Sequence, residues 1–298
     1  MSETNPARRV ILITGATSGI GRAAAFALAK KGAHVIIHGR DEVKTDQLRR
    51  EIIVACGHLQ VDTIVADLFL LTEVRKMADH INERYKNLDV LINNAGGLMG
   101  TEREETPEGH EKTVALNLFA PFLLTELLLE KLKKSNDGRI INVSSVAHKH
   151  LAKPDFYDIE NKKNYSVSKA YGDAKLFLIL ISQKLSRDLR TAGITNVTVN
   201  TLHPGLVASN FLGGSGLSSW VKFISKISVP FSKTSAQGAA TIIYLATSNE
   251  VRGVSGKYFD NSRPVKVSAR YNAVENENLV RDYCEKVAVS LLQNDPDK

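Results

Sequence analysis

Short apolar runs alternating with helical stretches constrain this chain more than any other feature. Val10–Thr14, Val35–His38, Val61–Ala66, Val90–Asn93, Arg139–Val143 and Val197–Leu202 are short and largely β-branched, and a last run lies near Lys257–Phe259. Between them lie Ile20–Lys30, Lys44–Ala55, Thr72–Tyr85, Glu108–Lys133, Tyr165–Arg190 and Ala236–Thr247, each with helical composition or spacing. Strands that are apolar throughout need cover on both faces, and the crossover helices of parallel strands supply it. The expectation is an α/β fold, with residues 1–298 forming a single Rossmann-type domain. Its doubly wound parallel sheet would carry helices on both faces.

Two stretches depart from the alternation. Residues 206–234 combine glycines and serines with Phe211, Leu212, Leu217, Trp220, Val221, Phe223, Ile224 and Phe231. Beside a ligand cleft such a segment would act as an apolar lid, the reading put first over a helix pair packed on the body and a membrane-surface contact. Residues 274–293 read as a terminal helix whose Leu279, Tyr283, Val287 and Leu291 form one stripe, expected to pack on the body.

Composition narrows the function classes. The formal charge is +7, but the basic residues are dispersed among 32 acidic ones, with no basic run carrying interleaved aromatics. Nucleic acid is therefore not an expected partner. Cys56 and Cys284 have no metal-ligand or disulfide-framework spacing, so no metal is expected and a reducing compartment fits. The first nine residues are polar, and no apolar run approaches the roughly 18 needed to cross a bilayer. The expected location is cytoplasmic, with no transmembrane segment.

Thr14-Gly15-Ala16-Thr17-Ser18-Gly19-Ile20-Gly21 joins the first strand to the first helix. Glycines there allow a tight turn and bring main-chain N–H groups and a helix N-terminus up to a pyrophosphate. At the end of the second strand an acid would favour NAD by binding the ribose hydroxyls. Gly39 occupies that slot and Arg40 follows, a residue able to form paired charge-assisted bonds to a 2′-phosphate. NADP(H) is therefore expected over NAD. Asp67 with Leu68 reads equally as an adenine contact or as a plain strand-to-helix cap.

Further motifs follow in order: Asn93-Asn94-Ala95-Gly96, Asn117, Ser144-Ser145, Tyr165-Ser166-Val167-Ser168-Lys169 and His203-Pro204-Gly205. With the glycine turn, they make the chain resemble the short-chain dehydrogenase/reductase family along nearly its whole length. The resemblance implies a catalytic set of Asn117, Ser145, Tyr165 and Lys169. Tyr165 would exchange a proton with the substrate oxygen, lowered in pKa by the Lys169 ammonium, while Ser145 donates a hydrogen bond to that oxygen. Lys169 would also hold the nicotinamide ribose, and Asn117 would position a water in a proton relay. The implied cofactor contacts are Gly15, Thr17, Ser18, Gly19, Ile20, Gly21, Arg40, Asp67, Leu68, Asn94, Ala95, Gly96, Tyr165, Lys169, Pro204, Gly205 and Val207.

Tyr171 and Lys175 form a rival pair with the same spacing. Tyr165 is preferred because Ser168 directly precedes its lysine, as in the family pattern, where Ala174 precedes the other. His148, His150 and His203 have no nucleophile elbow or metal spacing beside them and read as loop histidines.

Val199-Asn200-Thr201-Leu202-His203-Pro204-Gly205, Ser255-Gly256-Lys257-Tyr258-Phe259 and the late helix are similar to the retinol-dehydrogenase-like branch that includes the WW-domain oxidoreductase. The branch implies an oxidoreductase acting on a lipophilic alcohol or carbonyl. The alternative is a non-catalytic NADP-binding protein on the same fold, against which the intact catalytic set argues. Surplus apolar residues around Leu116–Leu129 and Leu176–Ile181 imply, by the same resemblance, a homodimer.

Overall fold

The computed structural model describes residues 9–205 and 233–293. Each apolar run is a strand: β1 (Val10–Ile13), β2 (His34–Gly39), β3 (Val61–Val65), β4 (Val90–Asn93), β5 (Gly138–Val143), β6 (Val197–His203) and β7 (Tyr258–Asp260). They pair parallel in the order β3-β2-β1-β4-β5-β6-β7. One strand more than expected, β8 (Arg263–Val265), closes the edge antiparallel to β7. Its residues are all exposed, so no apolar pattern announces it.

The pleat sorts the strands' side chains between two cores. Leu12, Ile36, Leu91 and Ile140 point to one face; Ile13, Ile37, Ile92 and Ile141, their immediate neighbours, point to the other. The second face is covered by α1 (Gly19–Lys30), α2 (Glu42–Cys56) and α7 (Ser235–Thr247). The first is covered by α3 (Leu71–Arg84), α4 (Lys112–Lys133), α6 (Val167–Thr191) and, outermost, α8 (Val274–Gln293). A short helix, α5 (Ala147–His150), sits between β5 and α6. The expected segment 206–234, with its aromatic residues and Val207, falls outside the described residues apart from its last two.

One expectation changes here. α4 is long and apolar enough to cross a membrane, contrary to the reading of the sequence, but 67% of its most apolar window is buried inside the fold. It is the central helix of one core. α8 covers part of the apolar surface of α4 and α6 on which the expected homodimer rested. Val280 and Cys284 are the centre of that contact, Tyr283 stacks on Phe119 at 6.0 Å, and the Arg281 guanidinium lies 5.3 Å from the Phe122 ring. Charged pairs at the margin, Arg187–Glu277 and Arg281–Glu126, fix its register.

Candidate active site

The glycine turn sits at the carboxyl end of β1, where ligands of doubly wound sheets bind. Gly15 and Gly19 have φ of +63° and +55°, values that favour glycine. Crowding also demands glycine: a Cβ on Gly15 would lie 2.9 Å from Ala95 Cα, and one on Gly21 2.3 Å from Gly15 O. Asn94 fastens the turn from the next strand, donating through Nδ2 to Thr14 O (2.9 Å) and Gly15 O (3.1 Å). The main-chain N–H groups of Asn94 and Ala95 donate in return to Thr14 Oγ1, each at 3.0 Å. Ser18 stands before α1 with its side chain making no cap bond, and no acid occupies the first turn. A helix N-terminus left uncapped beside such a cradle suits an anion.

Gly39 ends β2 pressed against Thr17 and Thr45: a Cβ there would lie 2.3 Å from Thr45 Oγ1 and 2.5 Å from Thr17 Cγ2. An acidic side chain has no room at this position. Arg40 is exposed and makes no ion pair among the described residues, because Asp41 instead caps α2, accepting from Lys44 N at 3.1 Å. Asp67 Oδ1 accepts from Phe69 N (3.1 Å), so it shapes the turn after β3, and Leu68 is buried beneath it. Gly205 has φ +89° and, with Pro204, follows β6.

The catalytic end is built around a break in α4. Residues Ala115–Phe119 form a π-helical turn, a feature common at functional sites. Asn117 in that turn is fully buried, donating to Thr113 O (2.8 Å) and Gly97 O (3.0 Å) and accepting from Gly97 N (3.2 Å). Glu111 caps the start of α4 through Thr113 N and Val114 N. Glu160 accepts from Glu111 N at 2.9 Å and from Tyr283 of α8 at 2.7 Å. Burial alone would raise the Glu160 pKa, but bonds from His110, Tyr283 and Glu111 N–H hold it well below the usual carboxylate range.

The tyrosine that Ser145 bonds is not the expected one. Tyr165 lies outside α6, just before the Ser166 that caps it, and its hydroxyl donates to Gly100 O at 3.1 Å. Lys169 Nζ pairs with Asp173 at 2.8 Å and also donates to Asn161 Oδ1. Tyr165 and Lys169 do not share a helical face, since the tyrosine lies outside the helix. Lys175, six residues beyond Lys169, is turned by about 240° around the helix axis and faces the sheet.

There the rival pair gathers. Tyr171 and Lys175 are both buried. Ser145, after β5, hydrogen-bonds the Tyr171 hydroxyl. Lys175 Nζ donates to Val143 O (3.0 Å) and lies 5.7 Å from the Tyr171 ring centre. Gly96 lets the β4 loop close over this group: a Cβ there would come within 2.7 Å of Asn117 Oδ1 and 3.0 Å of Lys175 Nζ. Burial pushes the Tyr171 phenol up and pushes the Lys175 ammonium down to about 7. His148, read from sequence as a loop histidine, is buried and lies 2.6 Å from Ser145 O through Nδ1, with its ring edge-on to Tyr258 at 4.9 Å. Only its nearness to Ser145 in the chain could have flagged it.

The arrangement offers an anion cradle at one end and, at the other, a hydrogen-bonded Ser–Tyr pair backed by a buried cation. Among the described residues no cluster of His, Cys, Asp or Glu could hold a metal. Comparison with known proteins shows the family. The family model described as short chain dehydrogenase matches residues 9–216. Human retinol dehydrogenase 12 is 37% identical over 282 residues, spanning 94% of this chain and 87% of that protein. Among solved structures, an uncharacterised protein from Mycobacterium paratuberculosis superposes with a TM-score of 0.74 at 28% identity, covering 94% of this chain and 93% of that one. A short chain dehydrogenase from Shigella flexneri 2a complexed with NADP gives 0.65 at 26% identity, covering 86% and 97%.

Proposed function

The chain belongs to the short chain dehydrogenase family, and we propose from that premise that it interconverts a lipophilic alcohol and its aldehyde or ketone with NADP(H). The observation that carries this reading is the meeting of Ser145, Tyr171, Lys175 and Asn117 at the carboxyl ends of β4 and β5. Tyr171 and Lys175, not Tyr165 and Lys169, are the proton-handling pair.

The residues at the other end fit a dinucleotide. The turn from Gly15 to Gly21 would hold its pyrophosphate against the α1 N-terminus, with Asn94 and Gly96 closing the far side. The unpaired Arg40 beside a Gly39 that excludes an acid supports a 2′-phosphate, hence NADP over NAD. When bound, the nicotinamide supplies or accepts the hydride.

The chain's own part is to position the substrate oxygen and exchange its proton. In the reducing direction Tyr171 gives its hydroxyl proton to the carbonyl oxygen as negative charge grows there. Ser145 donates a second hydrogen bond to the same oxygen. Burial favours the protonated phenol, so the acid is loaded in the resting site. The phenolate left behind needs a nearby cation, and the Lys175 ammonium is the one beside it. A lysine held near neutrality can also pass a proton on to the tyrosine at little cost. Asn117, locked between Gly97 and Thr113, keeps the lysine end of the site in shape. The lipophilic substrate class rests on the retinol-dehydrogenase relatives.

The test is a pair of variants assayed with NADPH and an apolar aldehyde. Tyr171→Phe should lower kcat/KM by about a thousandfold, within the usual range for a general acid, while NADPH binding is retained. Tyr165→Phe should stay within a few-fold of the parent. The reverse pattern would return the role to Tyr165 and sink this assignment.

A further inference from the structure

We propose that His38 is a positioning residue that sets the shape of the phosphate turn and ties it to the loop after β3. The proposal rests on the cofactor reading above and names a residue that reading does not use. His38 lies in β2, next to Gly39, and is only 3% exposed. Its Nδ1 meets Gly15 N at 3.1 Å and its Nε2 meets Ala66 O at 3.0 Å.

These partners leave one protonation state. A main-chain N–H can only donate, so Nδ1 must be the bare, accepting nitrogen. A carbonyl oxygen can only accept, so Nε2 must carry the hydrogen. The imidazole is therefore neutral, with its hydrogen on Nε2. An imidazolium would set an N–H against the Gly15 N–H. Burial, the largest influence, pushes the His38 pKa down to about 4, against an opposing pull from Asp67 and the bond to Ala66.

The main chain doubles the tie. Ala16 N donates to His38 O at 2.8 Å, and Ala66 N donates to Gly39 O at 3.3 Å. The imidazole thus bridges the turn after β1 and the loop after β3 from the strand that lies between them. Gly15 is the residue of the turn with φ +63°, and its N–H is the one His38 claims. The amides of Thr17 and Ser18 have no partner among the described residues, which leaves them for an anion. His38 therefore selects which N–H groups of the turn face the ligand. It also couples the pyrophosphate end to Asp67 and Leu68, without touching the ligand itself.

The test separates the two halves of the imidazole. NADPH is titrated by fluorescence against the parent chain and against His38→Asn, His38→Gln and His38→Leu, with thermal unfolding followed for each. Asn keeps an acceptor near the Nδ1 position, and Gln keeps a donor near Nε2. Asn should bind within about threefold of the parent, and Leu should bind at least tenfold more weakly, about 1.4 kcal/mol. Gln should fall between them. Leu binding as well as the parent would overturn the proposal. The second measurement needs no variant: nitrogen NMR of the parent's His38 should show an unprotonated Nδ1 that does not titrate between pH 8 and pH 5. A protonated Nδ1, or a midpoint near 6.5, would overturn it even if the variants failed to fold. Should the parent not bind NADPH at all, the cofactor reading falls, and the NMR signature still decides whether His38 holds the turn.

Discussion

Two Tyr-x-x-x-Lys pairs lie six residues apart on one stretch of chain, and their surroundings differ in every respect that matters to chemistry. Lys169 is part of a latch. Its ammonium neutralises Asp173, which in turn accepts from Lys153 N at 2.7 Å, so the segment leading out of α5 is tied down onto α6. Gly172 makes the same contact close, since a Cβ there would lie 2.6 Å from Ala152 N. Among the described residues Lys175 has no carboxylate partner; it meets the Val143 carbonyl and the Tyr171 ring. A buried, unbalanced ammonium costs stability and is seldom retained for packing. The pair that is cheap to keep secures a loop, and the pair that is costly to keep is the one we propose handles protons.

Exchanging each lysine for methionine should split the two roles most widely. Lys175→Met should cut kcat/KM by about a thousandfold while leaving the unfolding temperature unchanged or higher, because a desolvated charge is gone. Lys169→Met leaves Asp173 buried without its cation. It should destabilise the chain by on the order of 2 kcal/mol, less than for a fully buried pair because Lys169 keeps some exposure. Turnover of the folded protein should stay near that of the parent. Matching losses of rate in both variants would erase the distinction.

Proton linkage gives the next largest contrast. The Lys175 pKa falls on folding from 10.5 to about 7. Between those values the unfolded chain holds a proton that the folded chain has released, so stability rises with pH across the window and is lost as pH falls towards 7. Chemical denaturation of the parent and Lys175→Met at pH 7 and pH 9.5 should show that rise only in the parent. In the parent, kcat/KM for carbonyl reduction should decline above about 7, as the cation needed beside the phenolate is lost. A flat profile through pH 9 would remove Lys175 from that role.

The smallest effect concerns the residue on which Tyr165 was preferred. Ser168 is exposed, so Ser168→Ala should change stability by less than about 0.5 kcal/mol and leave kcat/KM within twofold. A large loss of rate would mean that the serine before Lys169 matters to chemistry after all.

Much of the molecule was readable in its residues, for physical reasons that also mark where reading stops. The parallel strands announce themselves because burial on both faces forces continuous apolar runs. The exposed β8 obeys no such rule, and α4 begins at Lys112 instead of Glu108 because Glu111 caps it. The glycine turn and Asn94 can be read since close backbone approach permits few residue types. Spacing cannot separate the two tyrosines, because both pairs satisfy it. What separates them is which side of α6 meets the sheet, and where that helix begins. Neighbouring letters such as Ser168 carry no information on either point. His38 and His148 were passed over for a related reason, as their partners are main-chain atoms far away or around a corner.

The outermost helix has a consequence for how the protein is made. Everything α8 covers precedes it in the chain, so during synthesis the flank formed by α4 and α6 must wait, bare, for α8 to emerge. Tyr283 can stack on Phe119 only after that. Nascent chains halted before residue 274 should therefore bind hydrophobic dyes and self-associate, while the completed chain should not. Assembly of this half of the core then follows translation of the part that carries the site.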